Sequence, residues 1–208
     1  MRGATTYYSV DDALSEAARL YRRDLWADTE HRVEVWLEKD ALAGVLLEAT
    51  HDWHVPLMVT RGYPSLSFLH SSAMAIRDAE RPTYIYYFGD HDPSGKDIAR
   101  NTEKRLRQYA PDCEIHFELV AVTEEQIRFW NLPTRPTKRT DARAKKWKGG
   151  SVEVDAIPSK HLITLAESRI LSHRDMAQVE AIRTTERAER ETLRELAGIW
   201  NDDEDDGD

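Results

Sequence analysis

Three acidic side chains follow runs of residues that are typical of buried β-strands. Asp90 and Asp92 come after Thr83–Phe88, and Glu38 comes after Val33–Leu37. Because the carboxyl ends of parallel strands meet at one edge of a sheet, we expect the three carboxylates to lie close together. Asp90 and Asp92 are two positions apart, so both point to the same side if the strand pleat continues. Such oxygen ligands suit a hard cation such as Mg²⁺, or Mn²⁺ in its place.

Two acids in this region also have a simpler explanation. Asp92 precedes a predicted helix over 95–108, so its side chain can cap that helix without any metal. Asp97 lies in the first turn of the same helix, where it is either a further metal ligand or a favourable partner of the helix dipole. Both alternatives stay open at the level of the sequence.

Strand and helix patterns alternate along most of the chain. The predicted elements are an N-terminal helix over 11–26, strands at 33–37, 56–59, 83–88 and 114–122, and helices at 40–51, 65–78 and 95–108. This alternation predicts an α/β fold with a mainly parallel four-stranded sheet, flanked by helices on both faces. The elements predicted beyond it are a short helix after Thr123, a fifth strand at 152–154, and a C-terminal helical extension at 159–171 and 175–198.

Three motifs, in order along the chain, resemble those of the Toprim domain. They are Glu38-Lys39-Asp40-Ala41-Leu42, Thr60-Arg61-Gly62-Tyr63-Pro64-Ser65 and Gly89-Asp90-His91-Asp92-Pro93-Ser94-Gly95. Within that group the chain looks most like the A subunit of type IIB topoisomerases (topoisomerase VI), over about residues 32–133. The resemblance implies phosphodiester chemistry at Mg²⁺ or Mn²⁺, with Glu38, Asp90 and Asp92 as the catalytic set. Asp90 and Asp92 would be metal ligands, and Glu38 a third ligand or a general acid or base.

One departure from the type IIB pattern bears on the reaction. Those topoisomerases cleave with a tyrosine on a winged-helix domain that precedes Toprim, whereas here residues 1–31 contain only a predicted helix. The chain is therefore expected to use water rather than tyrosine, like the small stand-alone Toprim proteins that it resembles in size. A fragment of a longer protein is the other explanation.

Charge is distributed unevenly along the chain. The formal net charge is -9, and six acids lie in the last eight residues. Residues 135–148 have the opposite character, with seven cations and one acid. We predict that these cations, with Lys39 and Arg61, bind nucleic-acid phosphates and that Trp147 stacks on a base. The seven cations are Arg135, Lys138, Arg139, Arg143, Lys145, Lys146 and Lys148. The alternative is a solvated loop that pairs with the acidic tail.

The sequence predicts five segments. They are an N-terminal helix (1–31), a Toprim domain (32–133), a basic loop (134–150), a strand with helices (151–198) and a disordered acidic tail (199–208). A single cysteine, Cys113, and the lack of a long apolar run predict a soluble cytoplasmic protein without a membrane partner. A homodimer and a complex with a partner subunit are both compatible with the sequence.

The leading functional prediction is a Mg²⁺-dependent nuclease or nickase that acts on DNA, with RNA as the alternative substrate. A second hypothesis is a non-catalytic nucleic-acid-binding subunit that contributes a Toprim platform to a larger topoisomerase-like or defence complex. A third is a metal phosphohydrolase of small substrates, for which Lys145 and Lys146 would not matter.

Overall fold

The computed structural model describes residues 6–136, 147 and 149–205. The chain divides into two compact units, one formed by Trp26–His173 and one that joins Met1–Leu25 to Arg174–Asp208. The sequence patterns did not predict that the two ends of the chain belong to one unit. Within the described ranges, no helix combines the length and the apolar character that a membrane span requires.

The larger unit is built on a sheet of four strands that all run parallel. The strands are β1 (Arg32–Leu37), β2 (Leu57–Val59), β3 (Thr83–Phe88) and β4 (Ile115–Ala121). Their order in the sheet is β2-β1-β3-β4. β1 pairs with β3 along its whole length, so that Leu37 lies opposite Phe88 at the carboxyl end. The predicted α/β fold with a four-stranded parallel sheet is confirmed.

Helices cover both faces of this sheet. They are α2 (Ala43–His51), α3 (Leu66–Asp78), α4 (Pro93–Tyr109), α5 (Glu124–Phe129) and α6 (Ser159–Leu171), numbered after an N-terminal helix α1 described below. α3 and α4 pack on the face that carries Trp36, Ile85 and Tyr87. The connection from β1 to β2 crosses the sheet in one direction, whereas the connections from β2 to β3 and from β3 to β4 cross it in the other. Because such crossovers are right-handed, α2 lies on the face opposite to α3 and α4, where it packs against α6.

The predicted fifth strand at 152–154 is wrong. Val152 forms only an isolated antiparallel bridge with His91, and a 3₁₀ turn follows at Val154–Ala156. The chain turns there because the backbone N–H of Val154 donates a hydrogen bond to a side-chain oxygen of Asp90, at 2.8 Å, rather than to a neighbouring strand.

The smaller unit pairs α1 (Val10–Leu20) with the long helix α7 (Met176–Asp205). α1 ends six residues earlier than the predicted 26 because the backbone of Tyr21 leaves the helical conformation, with ψ at 128°. The hydroxyl of Tyr21 donates to Glu189 at 2.7 Å. Arg23 also pairs with Glu189, at 2.6 Å.

α7 includes residues 199–205, which we predicted to be a disordered tail. That stretch contains neither proline nor glycine, so nothing in it interrupts the helix.

Candidate functional site

The carboxyl ends of β1 and β3 lie side by side in the middle of the sheet. The chain leaves β1 for a helix on one face and leaves β3 for a helix on the other, which opens a crevice between the two strand ends. Glu38 follows β1 directly, and its N–H donates to the carbonyl of Phe88 at 2.9 Å. Asp90 follows β3 after one glycine, and its N–H donates to Oε2 of Glu38 at 3.2 Å. The structure therefore brings Glu38 and Asp90 together at this edge.

The residue between β3 and Asp90, Gly89, leaves room for this approach. A Cβ atom there would lie 2.7 Å from Oε2 of Glu38 and 2.6 Å from Cε1 of Tyr87. Both distances are too short for real carbon contacts, so a larger residue would displace the carboxylate or the ring. Our sequence interpretation missed this role, although a glycine at a strand end beside an acid is a signal of close approach.

The carboxylates of Glu38 and Asp90 are held in an environment that disfavours their charge. Burial, followed by the charge of Asp90, raises the pKa of Glu38 to about 7. Burial also raises the pKa of Asp90, against the hydrogen bond from the Val154 N–H. Among the described lysines and arginines, none forms an ion pair with either carboxylate. The ammonium group of Lys39, which pairs with Glu153 and Asp155, offsets this negative charge only in part, because the pKa values of both carboxyl groups remain raised.

The other two predicted metal ligands have structural partners. Oδ1 of Asp92 accepts a hydrogen bond from the N–H of Gly95 at 2.7 Å, so Asp92 caps α4. Asp97 accepts from the hydroxyl of Tyr63 at 2.6 Å and pairs with Arg100. Across the described ranges, no three His, Cys, Asp or Glu side chains are grouped as a metal site. Glu38 and Asp90 are the two acids that a hydrogen bond joins directly, and, in addition to burial, the charge of Asp92 raises the pKa of both.

The predicted phosphate-binding residues Lys39 and Arg135 both pair with acids of the segment that follows the basic loop. Lys39 Nζ lies 2.8 Å from Glu153 and 2.5 Å from Asp155, and Arg135 lies 2.7 Å from Glu153. Burial opposes the charge of Lys39, but the two carboxylates outweigh it and raise the pKa of its ammonium group. Glu153 and Asp155 were missed from the sequence because they were assigned to a strand and the residue after it.

Arg61 and Trp147 have neighbours of their own. Arg61 pairs with Asp40 at 3.2 Å, and both side chains are mostly exposed. The Trp147 ring lies edge-on to the buried His91, with ring centres 5.1 Å apart, and Lys96 Nζ lies 5.0 Å from the Trp147 ring centre. Six predicted contacts lie outside the described residues: Lys138, Arg139, Arg143, Lys145, Lys146 and Lys148.

Comparison with models of known protein families gave no match for this chain. Comparison with curated proteins gave no significant match either. The resemblance to the Toprim domain therefore rests on the three motifs in the sequence.

Proposed function

We propose that the larger unit binds Mg²⁺ or Mn²⁺ at Glu38 and Asp90 and cleaves phosphodiester bonds of DNA, with RNA as the alternative substrate. One observation carries this proposal. Glu38 and Asp90 lie at adjacent strand ends, in the crevice where the chain connections turn to opposite faces of the sheet. Open α/β sheets bind their ligands at this position.

The two carboxylates fit a divalent cation. They are partly buried, their charges repel each other, and the ammonium group of Lys39, which forms its ion pairs with Glu153 and Asp155, offsets this repulsion only in part. A bound cation would remove the repulsion and satisfy both groups. Mg²⁺ keeps several waters and is usually held by one or two carboxylates together with substrate phosphates. Two protein ligands are therefore sufficient, and Asp92 can remain the cap of α4.

The side chains of the site fit the requirements of phosphodiester hydrolysis. When bound, the cation would supply electrostatic stabilisation of the charge that builds up on the phosphate. Asp90 is fixed by the N–H of Val154 and would orient its carboxylate as a ligand. Without a cation, burial and the charge of Asp90 raise the pKa of Glu38 to about 7; the positive charge of a bound cation would lower that pKa and keep Glu38 ionised as the second ligand.

The basic segment supports nucleic acid as the substrate. The Arg135 end of this segment is joined to Ser151 by two backbone hydrogen bonds of 2.8 Å, and Val152 then pairs with His91 between the two aspartates. The segment therefore begins and ends beside the acidic edge.

Arg61, outside the basic segment, is a further candidate for phosphate binding. Its ion pair with Asp40 is exposed and contributes little stability, so a phosphate can replace the Asp40 carboxylate.

The direct test is cleavage of supercoiled plasmid by the purified protein in Mg²⁺ or Mn²⁺. We expect nicking that EDTA abolishes and that falls at least 100-fold in Glu38→Gln and in Asp90→Asn, because each removes a metal ligand. Matched controls are Glu48→Gln and Asp78→Asn, exposed acids of α2 and α3, which should cleave like the wild type. Nicking that survives both site substitutions would refute the proposal.

The same experiment distinguishes the nuclease from the second hypothesis. A non-catalytic nucleic-acid-binding subunit would bind DNA in a salt-dependent manner but would not nick it with either metal. Binding that is insensitive to metal and to the two site substitutions would support that alternative.

A further inference from the structure

Tyr87 has a buried hydroxyl to which the proposed reaction assigns no role. Its side chain is 0% exposed, and its ring packs against Phe117 with ring centres 5.4 Å apart. Among the described residues, the Tyr87 hydroxyl has no hydrogen-bond partner within 3.5 Å; the nearby hydroxyl of Thr60, which partly offsets the rise that burial causes in the pKa of Tyr87, donates instead to the Leu37 carbonyl at 3.4 Å. Leaving such a group unpaired costs about 1–3 kcal/mol, whereas phenylalanine would fill the same core position at no such cost. We therefore expect this hydroxyl to form a hydrogen bond when the site is occupied by a cation.

In addition to burial, the charge of Glu38 raises the pKa of the Tyr87 hydroxyl, more strongly than the charge of Asp90 does. Oε2 of Glu38 and Cε1 of Tyr87, the ring carbon next to the one that bears the hydroxyl, both lie within 2.7 Å of the point that a Gly89 Cβ would occupy. Within the part of the chain that the structure describes, the carboxylate of Glu38 accepts one hydrogen bond, from the Asp90 N–H at 3.2 Å. It thus has lone pairs left for a second donor.

We propose that Tyr87 is a positioning residue, whose hydroxyl donates a hydrogen bond to the Glu38 carboxylate in the cation-bound site. This inference rests on the proposed function, because it assigns a role only when Glu38 is a metal ligand. Groups that hydrogen-bond to metal-ligating side chains fix their orientation, and their removal typically costs 10–100-fold in metal affinity. Tyr87 would therefore contribute to metal binding without touching the metal.

The test is direct binding of Mn²⁺ to the full chain, measured by titration calorimetry and by the electron paramagnetic resonance of free Mn²⁺. Tyr87→Phe keeps the ring and removes only the hydroxyl, and we expect it to weaken Mn²⁺ binding about 10-fold or more. Its melting temperature without metal should equal or exceed that of the wild type, because an unpaired buried hydroxyl has been removed. Tyr109→Phe, a partly buried tyrosine that packs on the same core cluster, is the matched control and should bind Mn²⁺ like the wild type.

A double-mutant cycle shows whether Tyr87 acts through Glu38. In the Glu38→Gln background, the added Tyr87→Phe change should have little further effect on the remaining Mn²⁺ affinity. Wild-type Mn²⁺ affinity in Tyr87→Phe would overturn the role of Tyr87 and leave the proposed function intact. A Tyr87→Phe protein that melts lower without metal would assign the hydroxyl to the fold and also overturn it. Failure of the wild type to bind Mn²⁺ would refute both proposals.

Discussion

At Glu38, burial and a neighbouring like charge combine to hold the pKa near 7, well above the value of 4.5 for a free side chain. The unfolded chain therefore ionises Glu38 at lower pH than the folded chain does, and the folded state loses stability as pH rises from about 4.5 to about 7. Above pH 7 the folded protein carries the full cost of the charged carboxylate. A neutral side chain at position 38 would not have this cost.

We therefore predict that Glu38→Gln is more stable than the wild type at pH 8, by on the order of 2 kcal/mol after allowance for partial exposure of the side chain. The difference should shrink as pH falls and vanish below about 4.5, where the wild-type carboxyl is protonated in both states. Urea unfolding across this pH range measures it, with Glu48→Gln as the control. Added Mg²⁺ should stabilise the wild type but not Glu38→Gln. Equal stabilisation of both by Mg²⁺ would show that the cation binds elsewhere.

The sequence predicted which acids lie at the sheet edge but not which side chains engage them. Glu38 and Asp90 follow strands that the residue pattern identifies, and parallel strands present their carboxyl ends together. The partners of Lys39 lie more than 110 positions further along the chain, at Glu153 and Asp155. Such contacts depend on where a loop returns to the sheet, which periodicity does not encode.

Among the elements, α4 depends most directly on a residue of the predicted site. The helix begins at Pro93 with Asp92 as its N-cap, and proline at the first helical position is favoured because its missing N–H needs no partner. The sequence motif thus contains a helix start as well as a candidate metal ligand. The structure assigns Asp92 to the cap.

Two substitutions separate these roles of Asp92. Asp92→Ala removes the cap and should lower the free energy of unfolding by about 1 kcal/mol, whereas asparagine caps as well as aspartate and should be nearly neutral. If Asp92 serves only as the cap, Asp92→Asn should retain most of the nicking activity while Asp90→Asn loses it. Chemical unfolding and the plasmid assay measure the two effects. If Asp92→Asn loses as much nicking activity as Asp90→Asn, Asp92 is a metal ligand as well as the cap.

Element prediction was accurate where local pattern and tertiary packing agree. The strand at 83–88 and the helix at 159–171 match their predicted bounds. The short helix after Thr123 is also present and has a capping box with Gln126. The strand prediction for 152–154 failed because its alternating apolar residues are typical of a strand, while the N–H of Val154 donates to Asp90 and its carbonyl accepts from the Ile157 N–H. Local propensity cannot anticipate a long-range partner of this kind.

At the scale of the whole molecule, the negative net charge opposes nucleic-acid binding, whereas the cations of residues 135–148 favour it locally. The net charge of -9 repels a polyanion at long range, but the repulsion between exposed charges is screened beyond about 10 Å at 0.1 M salt. Residues 135–148 carry seven of the 29 lysines and arginines and one acid. Affinity for DNA should therefore depend on this segment rather than on the total charge.

The double substitution Lys145→Gln with Lys146→Gln tests this distinction. Each phosphate contact releases counterions, so loss of two contacts should weaken DNA binding and reduce the magnitude of the slope of log K against log salt by about 2. Fluorescence anisotropy at several salt concentrations measures the slope. The control is Lys104→Gln with Lys160→Gln, which changes the net charge equally but on exposed positions of α4 and α6. If both pairs change the slope to the same extent, binding follows total charge, and the basic segment has no specific role in holding the substrate against Glu38 and Asp90.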